Sequence, residues 1–378
     1  MSPTPVTFTS PDQPASYSWE ATNEEVAARY GLPIESVIRF DLNTAAAPPA
    51  MAQRVLSAGM FDVPMSEYPP PDYRRLIAAA ADRYGVGTDE IVVGAGADEI
   101  LDIIGKVFLP ERSAAVVPIP TYAMYRVITE QQGARVVGVP RLGAAEGYAL
   151  DLPAVRDAAR DACVVWLCSP NNPTALPEPD GAIQALLGQV AADAEAGGRE
   201  PPIVVVDEAY AEFADRSVDG LRFEHPNLIT IRTASKAYAL AGLRVGFGIA
   251  RPELIARMNP FRPPGSVSTV SVTVVTEALL DPGLARENVD RIAAERDRLT
   301  AALTEAGWSV GPSMTNFVLV DFASVERAAA VAEGLLQRGL VPRAFPETHP
   351  LADHLRLTVR DEAQDDRLIA AARELEAG

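Results

Sequence analysis

Between about residue 70 and residue 250 the chain alternates between amphipathic segments and short, almost wholly apolar runs. The runs are EIVVG, AAVVPI, ARVVGV, CVVWLC, PIVVVD, LITIR and VGFGIA. Several are apolar throughout instead of at every second position, so a strand built from them must be covered on both faces. The segments between them carry apolar residues at helical spacing; in DEILDIIGKVF these fall at 100, 101, 103, 104, 107 and 108. Strand and helix in this alternation predict an α/β fold: a mostly parallel seven-stranded sheet flanked by helices.

The ends of the chain read differently. Residues 1 to 20 predict an extended arm, and TNEEVAARYG a short helix, with Thr22 and Glu25 as a capping box and Gly31 and Pro33 as its stop. DYRRLIAAAADRYG is a helix closed by Gly85, and another is expected over 180–196. Near residue 260, NPFRPPG breaks the pattern. A long charged helix over roughly 282–306, a strand NFVLVDF, a helix over 324–338, a strand HLRLTV and a closing helix to 376 predict a smaller α+β unit. The expected organisation is an arm and helix over 1–42 that pack with the small domain or a partner subunit, a large domain over 43–262, and a small C-terminal domain over 263–378.

Composition removes several classes of function. A net charge of −18 with no basic stripe argues against nucleic acid. Cys163 and Cys168 lie together in ACVVWLCSP, which predicts a buried strand with free thiols in a reducing compartment. His225, His349 and His354 form no ligand pair with those cysteines, so no metal is expected. The first twenty residues lack the charged start and apolar core of a signal peptide, and no apolar run reaches membrane-spanning length. A cytoplasmic protein is expected.

Chemistry enters through a rarity. The chain has two lysines, Lys106 and Lys236, against 31 arginines. An amine that must lose its proton and attack a carbonyl cannot be replaced by guanidinium, so a lysine kept in such a chain is a candidate for amine chemistry. Lys106, in ILDIIGKVF, reads as a helix-surface cation. Lys236 sits in IRTASKAYALAG, among small and apolar residues. Four other places lie at strand ends, where open α/β sheets bind ligands. IVVGAGADEI offers a small-residue turn into a helix N-terminus, an anion cradle; Glu99 stands where a dinucleotide fingerprint needs its third glycine. PTYAMY offers the flat ring of Tyr122, CSPNNPT the amide of Asn172, and VVVDEAYAEF two carboxylates that close a buried strand. Taken alone each has a plain structural reading: a tight turn, a core tyrosine, a turn signal, an ion pair. Together they suit a phosphorylated, aromatic, cationic aldehyde, which is pyridoxal phosphate, whose ring nitrogen needs a carboxylate partner.

The segments YPPPDYRRL, GAGADEI, PTYAMY, SPNNPT, DEAYAEF, ASKAYALAGLRVGF and LRLTV occur in an order and at intervals that resemble the fold-type I, pyridoxal-phosphate-dependent aminotransferases, most closely the histidinol-phosphate aminotransferase family. The likeness covers nearly the whole length. It implies that Lys236 is joined to the cofactor aldehyde and later shuttles the proton, that Asp207 pairs with the pyridinium, and that Tyr210 and Asn172 bond its phenolic oxygen. It implies that Tyr122 stacks on the ring and that Ala97, Asp98, Ser235, Arg244 and Thr233 hold the phosphate. It gives Tyr68 a reach to the phosphate of a neighbouring subunit in a homodimer with shared active sites. It makes Arg356, with Arg343 second, the grip on an anionic substrate, and puts Asn43, Asn172 and Tyr17 on the substrate side. The implied reaction takes an amino-acid-like amine and a 2-oxo acid, histidinol phosphate and 2-oxoglutarate foremost. Alternatives are an aromatic amino-acid aminotransferase, a decarboxylase of a phosphorylated amino acid such as threonine phosphate, and a cofactor-sensing regulator, for whose helix-turn-helix the roughly 20-residue arm has no room.

The chain departs from the family in places. NENPYGP is written NTAAAPP, keeping Asn43 and the prolines, which touches substrate choice. NNPTG and SKAFGLAG become NNPTA and SKAYALAG, each placing alanine where the family has glycine, at a cost if the backbone there is left-handed. LRITVG becomes LRLTVR: Arg356 survives and Arg360 adds a cation beyond it.

Overall fold

The computed structural model describes residues 16, 20–59, 61 and 63–377. Tyr17 lies outside them. Helix α1 (Asn23–Tyr30) begins at Thr22, whose hydroxyl accepts the Glu25 N–H at 3.2 Å while Glu25 accepts the Thr22 N–H at 2.8 Å; it stops at Gly31, φ 65°. Strand β1 (Ile38–Arg39) follows, then α2 (Ala50–Ala58) and α3 (Arg74–Tyr84).

Seven strands then build one sheet: β2 (Ile91–Gly94), β3 (Ala114–Ile119), β4 (Arg135–Pro140), β5 (Val164–Cys168), β6 (Ile203–Asp207), β7 (Leu228–Thr233) and β8 (Gly246–Ala250). Their spatial order is β2-β8-β7-β6-β5-β3-β4. The ladders β4-β3, β3-β5, β5-β6 and β6-β7 are parallel, and β8 runs antiparallel to both β7 and β2. Strands β5, β6, β7 and β8 are buried at every position, which is why their sequences do not alternate. Between the strands run α4 (Ala97–Phe108), α5 (Met124–Gln131), α6 (Leu152–Ala159), α7 (Ala182–Ala196) and the short α8 (Ala211–Ala214). Two apolar layers form, one under α4 and α5 around Trp166, the other under α6 and α7 around Leu186 and Leu187.

Past the sheet come α9 (Pro252–Met258), α10 (Thr269–Leu280) and α11 (Leu284–Glu305). The remainder is β9 (Ser309–Val310), β10 (Phe317–Asp321), α12 (Val325–Leu336), β11 (Leu340–Val341), β12 (Arg343–Ala344), β13 (His354–Thr358) and α13 (Glu362–Ala377). Strands β12-β13-β10-β9 make an antiparallel sheet, while β11 pairs in parallel with β1 and so ties residues 38–39 to the C-terminal part.

Helix α10 is absent from the sequence-based expectation. Its TVSVTVVTEALL is dense in β-branched residues, and it is buried nearly all round, so it carries no one-sided stripe. Ser268 caps it by accepting the Ser271 N–H at 3.2 Å, and the hydroxyls of Thr273 and Thr276 bond back to Thr269 O at 3.0 Å and Val272 O at 2.7 Å. It packs on α3 and α2. Among the described residues, no helix is long and apolar enough to cross a membrane.

Candidate active site

Strand β6 ends on Asp207 and Glu208 follows it directly, and the extended backbone sends the two carboxylates to opposite faces. Glu208 meets a protein cation: Arg232 of β7 lies 3.2 Å away, and Ser217 Oγ and the Val218 N–H add bonds of 2.7 and 2.6 Å. Burial pushes its carboxyl up to about 7 against the pull of Arg232. Asp207 receives the Tyr125 hydroxyl on Oδ2 at 2.9 Å and the Ala209 N–H on Oδ1 at 3.0 Å, and no described cation forms an ion pair with it. Burial pushes it up to about 6, opposed by those two hydrogen bonds. Of the two acids, Asp207 is the one left to meet a cation from outside the chain.

Lys236 stands in the turn after β7. Its Nζ donates to the Asn43 carbonyl at 3.0 Å and lies 5.6 Å from the centre of the Tyr210 ring. Burial first, then the positive charge of Arg356, lowers the amine to about 8, partly offset by Asp98 and Asp207. Asn43 holds a left-handed backbone at φ 52° and is fixed from every side. Its N–H donates to Thr358 Oγ1 at 2.9 Å, its Nδ2 to the Tyr210 hydroxyl at 2.9 Å, and its carbonyl also accepts Asn316 Nδ2 at 3.0 Å. Tyr210 packs edge-on against Phe317, ring centres 5.3 Å apart, and burial raises its phenol. Arg356 of β13 donates to Asn172 Oδ1 at 2.6 Å and to the Asp41 carbonyl.

The third part surrounds the start of α4. Its first-turn N–H groups have no partner within the helix. Gly96, at φ 82°, precedes them, and a side-chain carbon there would stand 2.4 Å from Arg244 Nη2. One on Gly246 would stand 2.4 Å from the Gly96 carbonyl carbon and 2.5 Å from Ala97 N, so β8 and the helix start touch backbone to backbone. Arg244 Nη2 reaches Asp98 Oδ2 at 3.1 Å, and the Tyr122 hydroxyl donates to Asp98 Oδ1 at 3.0 Å. Thr233 Oγ1 lies 2.9 Å from Ser235 Oγ and accepts the Ser235 N–H at 3.1 Å. The Asp98 carboxylate is thus engaged by side chains, which leaves its backbone N–H, with that of Ala97, to meet an anion.

These three groups gather most of the residues singled out from the sequence: Lys236, Asp207, Tyr210, Asn172, Asn43 and Arg356 in one cluster, and Ala97, Asp98, Tyr122, Thr233, Ser235 and Arg244 in the next. Arg343 stands opposite Arg356 in the ladder, and its guanidinium lies 3.2 Å from Glu20. Tyr68 is 91% exposed, with its ring beside Gly265. Several residues of the cluster escaped the sequence reading. Tyr125 lies three residues after Tyr122, on the same face of a helical turn, and that spacing was the available signal. Phe317 of β10, Asn316 just before it and Thr358 of β13 come more than 270 residues after Asn43, and no local pattern reports such a meeting.

The cofactor implied by the resemblance fits these residues. An acid without a protein cation suits a protonated ring nitrogen, first-turn amides beside a guanidinium suit a phosphate, and an amine lowered to about 8 suits an aldehyde.

Comparison with known proteins agrees. The family model for aminotransferase class I and II matches residues 39–371. A histidinol-phosphate aminotransferase of Xanthomonas campestris pv. campestris is 40% identical over 322 residues, covering 82% of this chain and 85% of its own. One from Roseiflexus castenholzii is 36% identical over 360 residues, 93% of each chain. Among solved structures, the histidinol-phosphate aminotransferase from Sinorhizobium meliloti in complex with pyridoxal-5'-phosphate superposes with a TM-score of 0.84 at 25% identity, over 95% of both chains. With the family model spanning all seven strands of the sheet and relatives at this identity over most of its length, the chain belongs to the class I and II aminotransferases.

Proposed function

We propose that the chain is a pyridoxal-phosphate-dependent aminotransferase that moves the amino group of histidinol phosphate to 2-oxoglutarate, giving imidazole-acetol phosphate and glutamate. The observation that carries this reading is the combination of a buried acid without a protein cation, Asp207, and a lysine amine lowered to about 8, Lys236, at neighbouring strand ends. The relatives named for this activity support the substrate.

When bound, pyridoxal phosphate supplies an aldehyde that condenses with amines and a protonated ring that draws electron density from the substrate's α-carbon. The chain's residues do the rest. Asp207 keeps the ring nitrogen protonated by facing it with a buried negative charge. The amides of Ala97 and Asp98, with Arg244, Ser235 and Thr233, hold the phosphate, and Tyr122 covers the ring. Tyr210 and Asn172 bond the phenolic oxygen. Lys236, whose lowered amine keeps a larger unprotonated fraction at neutral pH than an ordinary lysine, would take the proton from the substrate's α-carbon and hand it on. Arg356 grips the anionic end of the substrate, as a two-pronged donor already set by Asn172 and the Asp41 carbonyl. Arg343 serves that end once Glu20 gives way. Asn43 faces the substrate.

The exposed Tyr68 supports a homodimer in which it reaches the phosphate of the other subunit. The two free thiols, Cys163 and Cys168, support a reducing, cytoplasmic setting.

The test is a half-reaction screen. The cofactor-loaded protein is mixed with histidinol phosphate, phenylalanine, threonine phosphate and glutamate in turn, and visible absorbance and released products are followed. Histidinol phosphate and glutamate should each bleach the absorbance and leave an oxo product. Bleaching by phenylalanine alone would move the assignment to aromatic amino acids, and carbon dioxide release from threonine phosphate would move it to decarboxylation.

A further inference from the structure

The mechanism uses Asp207 but does not account for what holds it. Its Oδ2 accepts the Tyr125 hydroxyl at 2.9 Å, and Tyr125 is itself fully buried. The Tyr125 ring stacks on Trp166, centres 5.8 Å apart and planes 7° from parallel. The same indole donates from Nε1 to Thr129 Oγ1 at 3.0 Å, and that hydroxyl donates to the Tyr125 carbonyl at 2.7 Å. Tyr122 meets the other side edge-on at 5.7 Å. With the ring held on two sides and its backbone tethered, the phenol oxygen is fixed beside Asp207 and Cys168, and Asp207 Oδ2 is the acceptor at 2.9 Å.

We propose that Tyr125 is a positioning residue for Asp207: its hydroxyl, braced by Trp166 and Thr129, fixes one carboxylate oxygen and sustains the carboxylate's charge, while Ala209 N–H fixes the other oxygen. The proposal rests on the reading that Asp207 faces a cationic ring nitrogen. The titratable groups around Asp207 are Tyr125 from α5, Cys168 from β5, Asp98 from α4, Tyr210 at the start of α8 and Lys236 from the turn after β7. Cys168 donates its thiol proton to the Pro170 carbonyl at 3.3 Å, and burial pushes that thiol up to about 12, so it supplies no charge at neutral pH. Asp98 opposes the charge of Asp207 and Lys236 favours it, so the neutral hydrogen bonds carry much of the stabilisation.

Tyr125→Phe tests this, because phenylalanine keeps the stack on Trp166 and loses only the donor. In the protein free of cofactor, the Asp207 carboxyl carbon is followed by carbon-13 NMR across pH, assigned by its absence in Asp207→Asn. Its midpoint should rise by about one unit or more in Tyr125→Phe, the usual worth of a hydrogen bond to a charged group. Pyridoxal phosphate affinity should fall about twofold at pH 7 and nearly tenfold at pH 5, where a midpoint moved from about 6 to about 7 leaves roughly ten times less ionised Asp207, and the loss should vanish at pH 9 as Asp207 ionises without help. Thr129→Val, which cuts the tether and keeps the phenol, should show a smaller rise. An unchanged midpoint in Tyr125→Phe overturns the proposal. A raised midpoint with unchanged affinity overturns it differently: the Tyr125–Asp207 link stands and the assignment of Asp207 to the ring nitrogen falls.

Discussion

The sharpest consequence of the site concerns the amine of Lys236. A solvated lysine at pH 7 keeps roughly 0.03% of its amine unprotonated, given an ordinary value of about 10.5. Lowered to about 8, Lys236 would keep roughly 9%, a gain of about 300-fold in reactive amine. With only two lysines in the chain, that difference is directly readable. The cofactor-free protein is pulsed with isotopically tagged acetic anhydride at a series of pH values, and acetylation at 236 and at 106 is counted by peptide mass spectrometry. Lys106, half exposed and paired with Asp102 at 2.6 Å, is the internal reference for reagent strength. Acetylation at 236 should rise with a midpoint near pH 8. Arg356→Gln removes the largest positive neighbour, so the midpoint should move up. Prior loading with pyridoxal phosphate should protect 236 and leave 106 unchanged. A profile at 236 that climbs only above pH 10, or protection of both lysines, would refute the argument from burial.

Three further outcomes follow from the same coordinates. Asp207 is raised from 3.8 to about 6, so the folded protein holds its proton more tightly than the unfolded chain, and this group makes cofactor-free stability fall as pH rises from about 4 to about 6. Asp207→Asn should therefore stabilise the cofactor-free protein at pH 7 by up to about 3 kcal/mol in denaturant titrations while abolishing tight pyridoxal phosphate binding. Gly246→Ala forces a carbon to 2.4 Å from the Gly96 carbonyl carbon; it should lower the melting temperature by several degrees and weaken phosphate binding, since β8 and the start of α4 must part. Ala239 keeps a left-handed backbone at φ 56° without being glycine, so Ala239→Gly should stabilise by about 0.5–1 kcal/mol, seen as a higher denaturant midpoint with unchanged slope.

The parts legible in the sequence share one property: their cause is local. The capping box at Thr22 and Glu25, the stop at Gly85 and the wholly apolar strands each declare themselves within a dozen residues. So does the rarity of lysine. What stayed hidden depends on distant partners. Strand β1 is two residues long and exists because β11, some 300 residues later, pairs with it. Helix α10 reads as β-rich until α2 and α3 bury it. The two exchanges of glycine for alanine carry a cost only if the backbone is left-handed, and Ala175 and Ala239 do hold φ 67° and 56°, kept there by surrounding bonds such as Ala175 N–H to Asn171 O at 2.8 Å. Within DEAY, the two acids by themselves did not say which would find a protein cation; the resemblance assigned Asp207 to the ring, and the position of Arg232 beside Glu208 supplies a physical reason.

Strand β2 has a single neighbour in the sheet, β8, and some 150 residues of chain separate them. On a ribosome, therefore, residues 91–94 emerge with α3 and α4 to pack on but no strand to pair with until residue 250 has also left the tunnel, and the Gly96–Gly246 contact closes only then. The Gly96–Gly246 junction is a late arrival of biosynthesis, and a nascent chain that stops short of β8 carries its Asp207 and Tyr122 but lacks the backbone contact that braces the start of α4.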